Sequence, residues 1–353
     1  TINAKSAQNT CRGLINNIKS FYALHKKDKT AKFPYKFKSW KYFTSFMYDV
    51  NMTYNGPGGG FKFIDNFIIF QKSLLKINLD NVYFNSKEIN NETIKTVTFT
   101  KDDKNDKYFI CFTYSEKSKP LKLNDNFLSI DLGVSNIASC YSNVIDSFII
   151  RNTRLGKLEK TVNLLKSKRD NCKKYSRKYQ NYNELVKKYQ SKRTNKNKDF
   201  QHKASKKIVD ICIENNITNL IIGDIKTKSC VTDYNKTLNK STQNNGYLSR
   251  FKTFLQYKSK NVGIITELIN EAYTSQTNCL TGQRTLSSDL SVREVELKNG
   301  FVINRDINSA VNIAKKSKQI GLQWLSQIEE TLQNGASMMF LDYKSNLKIS
   351  NDL

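Results

Sequence analysis

Two aspartates stand where predicted secondary-structure elements meet a turn, and both could bind a metal ion. Asp131 ends the apolar run 127–131, and Asp306 lies in the first turn of a predicted helix over 304–314. With a Glu from another strand end they would form an acidic cluster, provided that these elements converge. Carboxylates suit Mg²⁺, which prefers oxygen ligands. Two such ions about 3.5 to 4 Å apart can hydrolyse a phosphodiester.

Each aspartate also has an ordinary structural interpretation. An Asp after a strand commonly caps a turn, and an Asp at a helix start is commonly an N-cap or a partner of the helix dipole. Taken one at a time, the residues favour this interpretation over catalysis.

From residue 127 onward, strand patterns alternate with helix patterns. This alternation predicts an α/β domain whose sheet is at least partly parallel. The predicted strands cover 127–131, 137–141, 145–150, 218–222 and 263–268, and the predicted helices cover 151–207, 204–215, 248–260 and 304–314.

The first part of the chain has a different pattern. Apolar residues at helical spacing over 14–24 predict a helix, and a glycine-rich turn at 56–60 precedes β-rich runs. We therefore expect a helical lobe over 1–55 and a β-rich domain over 56–125. The α/β domain would follow over 126–320, with a C-terminal tail over 321–353. Because residue 1 is Thr, an incomplete helical lobe and a processed chain both stay open.

The charge of the chain is strongly positive and unevenly distributed. The 353 residues carry a formal net charge of +27, and residues 151–207 alone contain 20 Lys and Arg against 4 Asp and Glu. A local excess of one sign favours a polyanion such as nucleic acid, with an acidic membrane surface as the weaker option. A solvated helical face is the ordinary alternative. The predicted nucleic-acid-binding residues are Lys166, Lys168, Arg169, Lys173, Lys174, Tyr175, Arg177, Lys178 and Tyr179.

The cysteines and the apolar segments exclude other classes of protein. Seven scattered cysteines with no C-x-x-C spacing argue against a disulfide framework. No run reaches the length of a membrane span, and the first thirty residues lack a signal-peptide core. We expect an intracellular protein without a membrane partner.

Two motifs resemble those of a known nuclease family. The segment Ile130 to Ala138 (IDLGVSNIA) resembles the first RuvC motif of the TnpB family, the transposon-encoded RNA-guided nucleases related to Fanzor proteins, and Arg305 to Ile313 (RDINSAVNI) resembles the third. Residues 202–210 and 251–263 are similar to the intervening helices. The resemblance covers 127–318 well, and residues 33–37 and 61–120 only loosely.

The resemblance implies an RNase H-like RuvC domain of α/β class with a helical insert. It also implies a preceding helical recognition lobe and a small β-barrel-like wedge domain. Asp131 and Asp306 carry over as metal ligands for two Mg²⁺ ions.

The second motif departs from the family pattern. Gly223 occupies the position where the family usually has a Glu, and Asp224 cannot replace it because successive strand residues face opposite sides of the sheet. Fanzors and some TnpB proteins carry a relocated glutamate on a later strand, which here implies Glu267. Neighbouring strands are only about 4.8 Å apart, so we predict Asp131, Glu267 and Asp306 as the catalytic, metal-binding set. A surface role for Glu267 stays open.

The zinc-binding loop of the family is also altered here. Over 274–303 the chain keeps the Thr274-Ser275 lead-in but only Cys279, while Gly282, Glu296 and Asn299 stand near the other ligand positions. Structural zinc needs four N or S ligands, so we predict that this loop holds no zinc.

The resemblance implies an RNA-guided DNA endonuclease that acts as a monomer with a guide RNA on target DNA. It would work in the nucleus of a eukaryotic host, or otherwise in the nucleoid or cytoplasm. The missing glutamate leaves open a nuclease-dead, RNA-guided repressor. Composition alone also permits a general basic RNA-binding protein.

Overall fold

The structure is a computed structural model that describes most of the second part of the chain and selected elements of the first. The described residues are 4–33, 45–49, 61–64, 67–70, 76–78, 94–102, 107–114, 123–152, 156–224, 247–287, 289, 291–297, 300–321, 323–333, 336–340 and 348–350. The predicted turns at 56–60 and 102–106, most of the segment 33–37, and Asn299 lie wholly or partly outside them.

The chain divides into two compact units, Thr1–Glu116 and Lys117–Leu353. The described elements of the first unit are α1 (Ala4–His25), β1 (Ser45–Asp49), β2 (Phe61–Ile64), β3 (Phe67–Phe70), β4 (Lys76–Asn78), β5 (Ile94–Asp102) and β6 (Lys107–Tyr114). They form two antiparallel sheets in the orders β1-β5-β6 and β2-β3-β4. The expected helix and β-rich runs are therefore present, but they fall in one unit, whereas the sequence suggested two domains.

The second unit contains a mixed sheet and several helices. Its strands are β7 (Phe127–Asp131), β8 (Asn136–Ser142), β9 (Ser147–Arg151), β10 (Asn219–Gly223), β11 (Ile265–Ile269), β12 (Glu294–Glu296), β13 (Val302–Asn304), β14 (Ala336–Phe340) and β15 (Lys348–Ser350). Its helices are α2 (Gly156–Asp170), α3 (Arg177–Glu214), α4 (Tyr247–Asn261), α5 (Arg305–Lys315) and α6 (Ile328–Gln333), with a 3₁₀ turn at Gln323–Gln327.

Seven of these strands form one sheet in the order β11-β10-β7-β8-β9-β14-β15. Strand β10 is parallel to both β7 and β11, whereas β8 is antiparallel to its neighbours. All five residues of β10 are buried, as expected for a parallel strand covered on both faces. The expected α/β class and partly parallel sheet are confirmed.

Alternating residues of the central strand β7 face two different cores. Leu128 and Ile130 pack with Ile208 of α3 and Phe251 of α4. Phe127 belongs to the opposite core, where α5 packs against the sheet. Asp131 has the same strand parity as Phe127, so it lies on the face that α5 covers.

Two predicted boundaries differ from the structure. The helices expected over 151–207 and 204–215 are instead the shorter α2 and one continuous helix, α3, that runs from Arg177 to Glu214. The residues expected as a C-terminal tail include β14, which pairs in parallel with β9 inside the sheet. Such pairing between distant segments leaves no local sequence signal.

No described helix combines the length and apolar character that crossing a bilayer requires.

Candidate functional site

The sheet register brings Asp131 next to Gly223. Ile130 on β7 lies opposite Ile222 on β10, so the next residues along these parallel strands are neighbours at the carboxyl edge. Gly133 then allows a tight turn, because a Cβ atom there would lie 2.7 Å from the Asn136 carbonyl oxygen. This turn leaves Asp131 at the end of a buried strand with its side chain half-buried.

Asp306 reaches the same region from the start of α5. Asn304 caps this helix, and its Oδ1 accepts a hydrogen bond of 2.9 Å from the Asp306 backbone N–H. The Asp306 carboxylate in turn accepts a hydrogen bond of 2.7 Å from Nδ2 of Asn136. Asn136 follows the turn after β7, so this bond ties the first motif to the third.

The third carboxylate near Asp131 is Glu271, two residues beyond the end of β11. Gly223 lies opposite Ile269 in the parallel pair of β10 and β11, and the Asp224 N–H donates to the Ile269 carbonyl at 2.7 Å. The chain then leaves the sheet and turns the Glu271 side chain back over the end of β10. The backbone N–H of Leu132, adjacent to Asp131, donates a hydrogen bond to this carboxylate.

Gly223 has no side chain in the place that Glu271 fills. A Cβ atom built on Gly223 would lie 2.0 Å from Oε1 of Glu271 and 2.7 Å from its Cδ and Cγ. A side chain at position 223 would therefore require the Glu271 side chain to move. The Glu271 carboxyl group occupies the space in which a side chain at position 223 would begin.

The three carboxylates influence one another electrostatically. Burial raises the pKa of Asp131 well above its usual range, and the charges of Glu271 and Asp306 raise it further, while Arg305 opposes them. Burial also raises the pKa of Glu271 to about 7, with a further contribution from Asp224. A positive ion would relieve this repulsion.

Asp224 points away from this cluster into an ion pair. Its carboxylate contacts Nζ of Lys252 on α4, and both side chains are largely covered. The lysine partly offsets the effect of Asp224 on the pKa of Glu271. As expected from strand alternation, Asp224 does not take the place of the missing motif-two glutamate.

Glu267, the glutamate predicted from the sequence, makes other contacts. Its carboxylate accepts hydrogen bonds from the Ser317 hydroxyl and from the Lys318 backbone N–H, the latter at 3.5 Å. Ser317 follows the C-terminal end of α5, whereas Asp306 lies at its start. At 1.5 Å per residue, these ends are about 15 Å apart. The structure thus favours Glu271, four residues further on, over Glu267.

Sequence reasoning missed Glu271 because it lies beyond the strand, where a residue has no regular side-chain direction. The signal was the same one that suggested relocation: Gly223 leaves a gap that some nearby carboxylate can fill. Strand periodicity placed Glu267 on the correct face of β11, but four residues, or two pleat repeats, too early.

Asp131, Glu271 and Asp306 have the donor chemistry for Mg²⁺. All three offer hard oxygen ligands, and Oε1 of Glu271 is buried with no hydrogen-bond partner. Across the described ranges, no three His, Cys, Asp or Glu side chains already surround a common point at ligand spacing. The residues thus fit a divalent ion by charge and ligand type.

The loop with the altered zinc motif is held against α5 by amide side chains. Cys279 is buried, and its backbone N–H donates to Oδ1 of Asn308 at 2.9 Å. Asn312 donates to the carbonyl oxygens of Thr274 and Thr277, at 2.9 and 2.6 Å. The absence of zinc stays a prediction.

The basic insert is a helical hairpin formed by α2 and α3, and its tip is the most exposed part. We define the hairpin tip as residues 173–178, which contain four Lys or Arg and no acid. Tyr175 has a φ of 68° and is 75% exposed. Left-handed backbone at a bulky, exposed residue is uncommon and often marks a functional position. The exposed predicted residues are Lys168, Lys173, Lys174, Tyr175, Arg177 and Lys178.

The other predicted binding residues of the hairpin are partly covered. Arg169 contacts Asp170 at 2.8 Å and Asn183 at 3.3 Å, and its guanidinium lies 5.9 Å from the Tyr179 ring centroid. The contacts with Asn183 and Tyr179 join α2 to α3, so Arg169 and Tyr179 hold the hairpin together. Lys166 is also half-buried.

Comparison with known families gives two matches in adjacent parts of the chain. Residues 109–229 match the OrfB_IS605 family, described as "Probable transposase". Residues 249–313 match the family described as "Cas12f1-like, TNB domain". The first match covers Asp131 and Gly223, and the second covers Glu271 and Asp306.

One curated relative and several solved structures are similar to this chain. TnpB-like protein MJ0751 of Methanocaldococcus jannaschii is 26% identical over 200 residues, which are 56% of this chain and 71% of the relative. A CRISPR-Cas12f ternary complex matches with 15% identity and a TM-score of 0.45, covering 65% of this chain and 46% of the other. A Cas12f1-sgRNA-target DNA complex matches with 14% identity and a TM-score of 0.40, covering 64% and 56%. The chain thus spans about half the length of these solved proteins.

The two family matches and the curated relative agree with the motifs around Asp131 and Asp306. The chain is therefore similar to the TnpB family over the segments that carry both motifs.

Proposed function

We propose that this chain is an RNA-guided DNA endonuclease that hydrolyses guide-matched DNA with two Mg²⁺ ions. The observation that carries the proposal is the position of Glu271, whose carboxyl group fills the space beside Gly223 and acts on Asp131. A third carboxylate next to the two motif aspartates supports a cleaving enzyme over a nuclease-dead binding protein.

Asp131, Glu271 and Asp306 would hold the metal ions, with Glu271 in the role that the sequence suggested for Glu267. When bound, the two ions supply an activated water and stabilise the leaving 3′ oxygen. The chain itself orients the carboxylates: Asn136 fixes that of Asp306, and the Leu132 N–H holds that of Glu271.

The nucleic-acid partners in this proposal are a guide RNA and a target DNA. Base pairing between them would read the sequence, while the protein holds the heteroduplex by its backbone. The exposed cations of the hairpin tip support such a contact, because phosphate binding depends on Lys and Arg side chains that water and nucleic acid can reach. We propose a monomer with RNA that acts in the nucleic-acid compartment of its host.

The test is cleavage of a guide-matched plasmid by the full chain with its co-purified RNA in the presence of Mg²⁺. Glu271→Gln should reduce kcat at least 10³-fold, because it removes a charged ligand while keeping the shape of the side chain. Glu267→Gln is the matched control and should change kcat less than threefold. Equal loss in both variants, or full activity of Glu271→Gln, would contradict the assignment.

The same assay separates the proposal from its alternatives. A nuclease-dead repressor would bind the matched plasmid without cutting it at any Mg²⁺ concentration. A general basic RNA-binding protein would show salt-dependent binding with no preference for matched DNA.

A further inference from the structure

Helix α5 carries three hydrogen-bonding side chains on one face, at intervals of four residues. Asn308, Asn312 and Lys316 lie one turn apart, with Lys316 at the C-cap, and so follow one line along the helix. We call these three residues the α5 brace. All three donate to backbone carbonyl oxygens of the loop 270–279, which carries Glu271.

The two asparagines bind the middle of this loop. Nδ2 of Asn308 donates to the Thr277 carbonyl at 2.8 Å, and Nδ2 of Asn312 donates to the carbonyls of both Thr277 and Thr274. Asn308 and Asn312 are 0% and 5% exposed. Buried amides that share two carbonyl oxygens restrict both the position and the direction of the loop backbone.

Lys316 binds the loop on both sides of Glu271. Its Nζ donates to the Asn270 carbonyl at 3.2 Å and to the Ala272 carbonyl at 2.6 Å. One ammonium group therefore holds the carbonyl groups of the residues directly before and after Glu271. The geometry also ties Glu271 to the helix whose first turn carries Asp306.

Glu271 needs such a constraint because the sheet does not supply one. The ladder between β10 and β11 ends at Ile269, and Tyr273, two residues after Glu271, has a φ of 67°. Mutual repulsion with Asp131 would push the Glu271 loop outward. With one cysteine in this loop, a four-ligand zinc site cannot hold it.

We propose that the α5 brace positions Glu271 for metal binding by fixing the loop 270–279 along the helix that carries Asp306. The brace holds the loop in place of a zinc site, for which the loop supplies only one cysteine. The metal-binding part of this inference rests on the function proposed above.

The test compares Lys316→Met with Lys318→Met in the full chain. Both substitutions remove one positive charge from exposed residues at the same end of α5, but only Lys316 donates to the loop carbonyls. Lys316→Arg keeps a donor and serves as the conservative variant. The measurements are hydrogen exchange of the 270–279 amides without metal, and Mn²⁺ affinity by electron paramagnetic resonance.

Lys316→Met should speed exchange at residues 270–274 at least tenfold and weaken Mn²⁺ binding about tenfold, in the range seen when a metal ligand loses its supporting contact. Lys316→Arg should restore most of both, and Lys318→Met should stay within twofold of the parent protein. Equal behaviour of Lys316→Met and Lys318→Met would overturn the proposal.

Two further variants keep the outcomes distinct. Unchanged Mn²⁺ affinity in Glu271→Gln would reject Glu271 as a ligand, and so the proposed function, while faster exchange in Lys316→Met would still support the brace. Asn312→Asp replaces the amide donor with an acceptor that faces two carbonyl oxygens. This substitution should loosen the loop further. If the Asn312→Asp protein does not fold, the surface variant Lys316→Met still tests whether the brace holds the loop.

Discussion

The carboxylate site and the hairpin tip carry opposite charges, and they differ in how far those charges are exposed to water. Asp131 and Glu271 are partly or largely covered and repel each other, so burial and neighbouring charge raise the pKa of each. Lys173, Lys174 and Lys178 are exposed, and water screens their charge. Single changes should therefore have large effects at the site and small, cumulative effects at the hairpin tip.

The largest effect is expected from moving the glutamate between positions 271 and 223. Glu271→Ala should abolish cleavage, and Gly223→Glu alone should also impair it, because the new side chain collides with Glu271. The double variant Gly223→Glu with Glu271→Ala relieves the collision and returns a carboxylate to the end of β10. Its cleavage rate should be at least tenfold higher than that of Glu271→Ala.

Plasmid cleavage rates for the three variants check this expectation. Gly223→Ala with Glu271→Ala is the control, since it relieves the collision without restoring a carboxylate. Equal activity of this control and of the Glu double variant would show that the two positions do not share one site.

A second prediction concerns stability and pH. The folded-state pKa of Glu271 is about 7, above the ordinary value of 4.5. A carboxyl group with a raised pKa begins to destabilise the folded protein when the pH rises above the pKa of that group in the unfolded chain. The full loss of stability, about 3 kcal/mol, is reached above its pKa in the folded protein. Metal-free Glu271→Gln should therefore melt a few degrees higher than the parent protein at pH 8, with no gain at pH 4.5.

Calorimetry of the two proteins in EDTA at both pH values measures this difference. Glu267→Gln serves as the matched substitution and should show no comparable gain at pH 8. If the stability difference between Glu271→Gln and the parent protein were smaller at pH 8 than at pH 4.5, the repulsion inferred for the site would be contradicted.

The smallest expected effect belongs to the hairpin. Lys173→Gln with Lys174→Gln should weaken nucleic-acid binding a few-fold and lower the slope of log affinity against log salt by about 1.5, since each lost phosphate contact removes about 0.7 to 0.9. Lys203→Gln with Lys206→Gln removes the same charge. These two lysines already pair with Asp199 and Asp210 at 2.9 and 2.8 Å, so the slope should change less than half as much.

Filter binding of the guide RNA across a salt series distinguishes the two pairs. Identical slopes for both double variants would mean that net charge, and not the hairpin tip, determines binding. In either case kcat should be retained at saturating nucleic acid.

Local patterns predicted much of the second unit. The apolar run before Asp131 and the capped start of the helix at Asp306 depend on neighbouring residues, so both elements were identified from the sequence. The buried strand β10 and helix α4 were also predicted within one or two residues. The participation of β14 in the sheet could not be predicted, because its pairing with β9 joins segments almost 190 residues apart.

The sequence by itself determined two aspartates of the site, the absence of a side chain at Gly223, and the strong positive charge of the insert. The tertiary structure decided which glutamate faces Asp131, because strand register and the turn after β11 set that contact. A residue beyond a strand end takes its direction from the partners that hold its backbone. Here those partners lie on helix α5, more than thirty residues away along the chain.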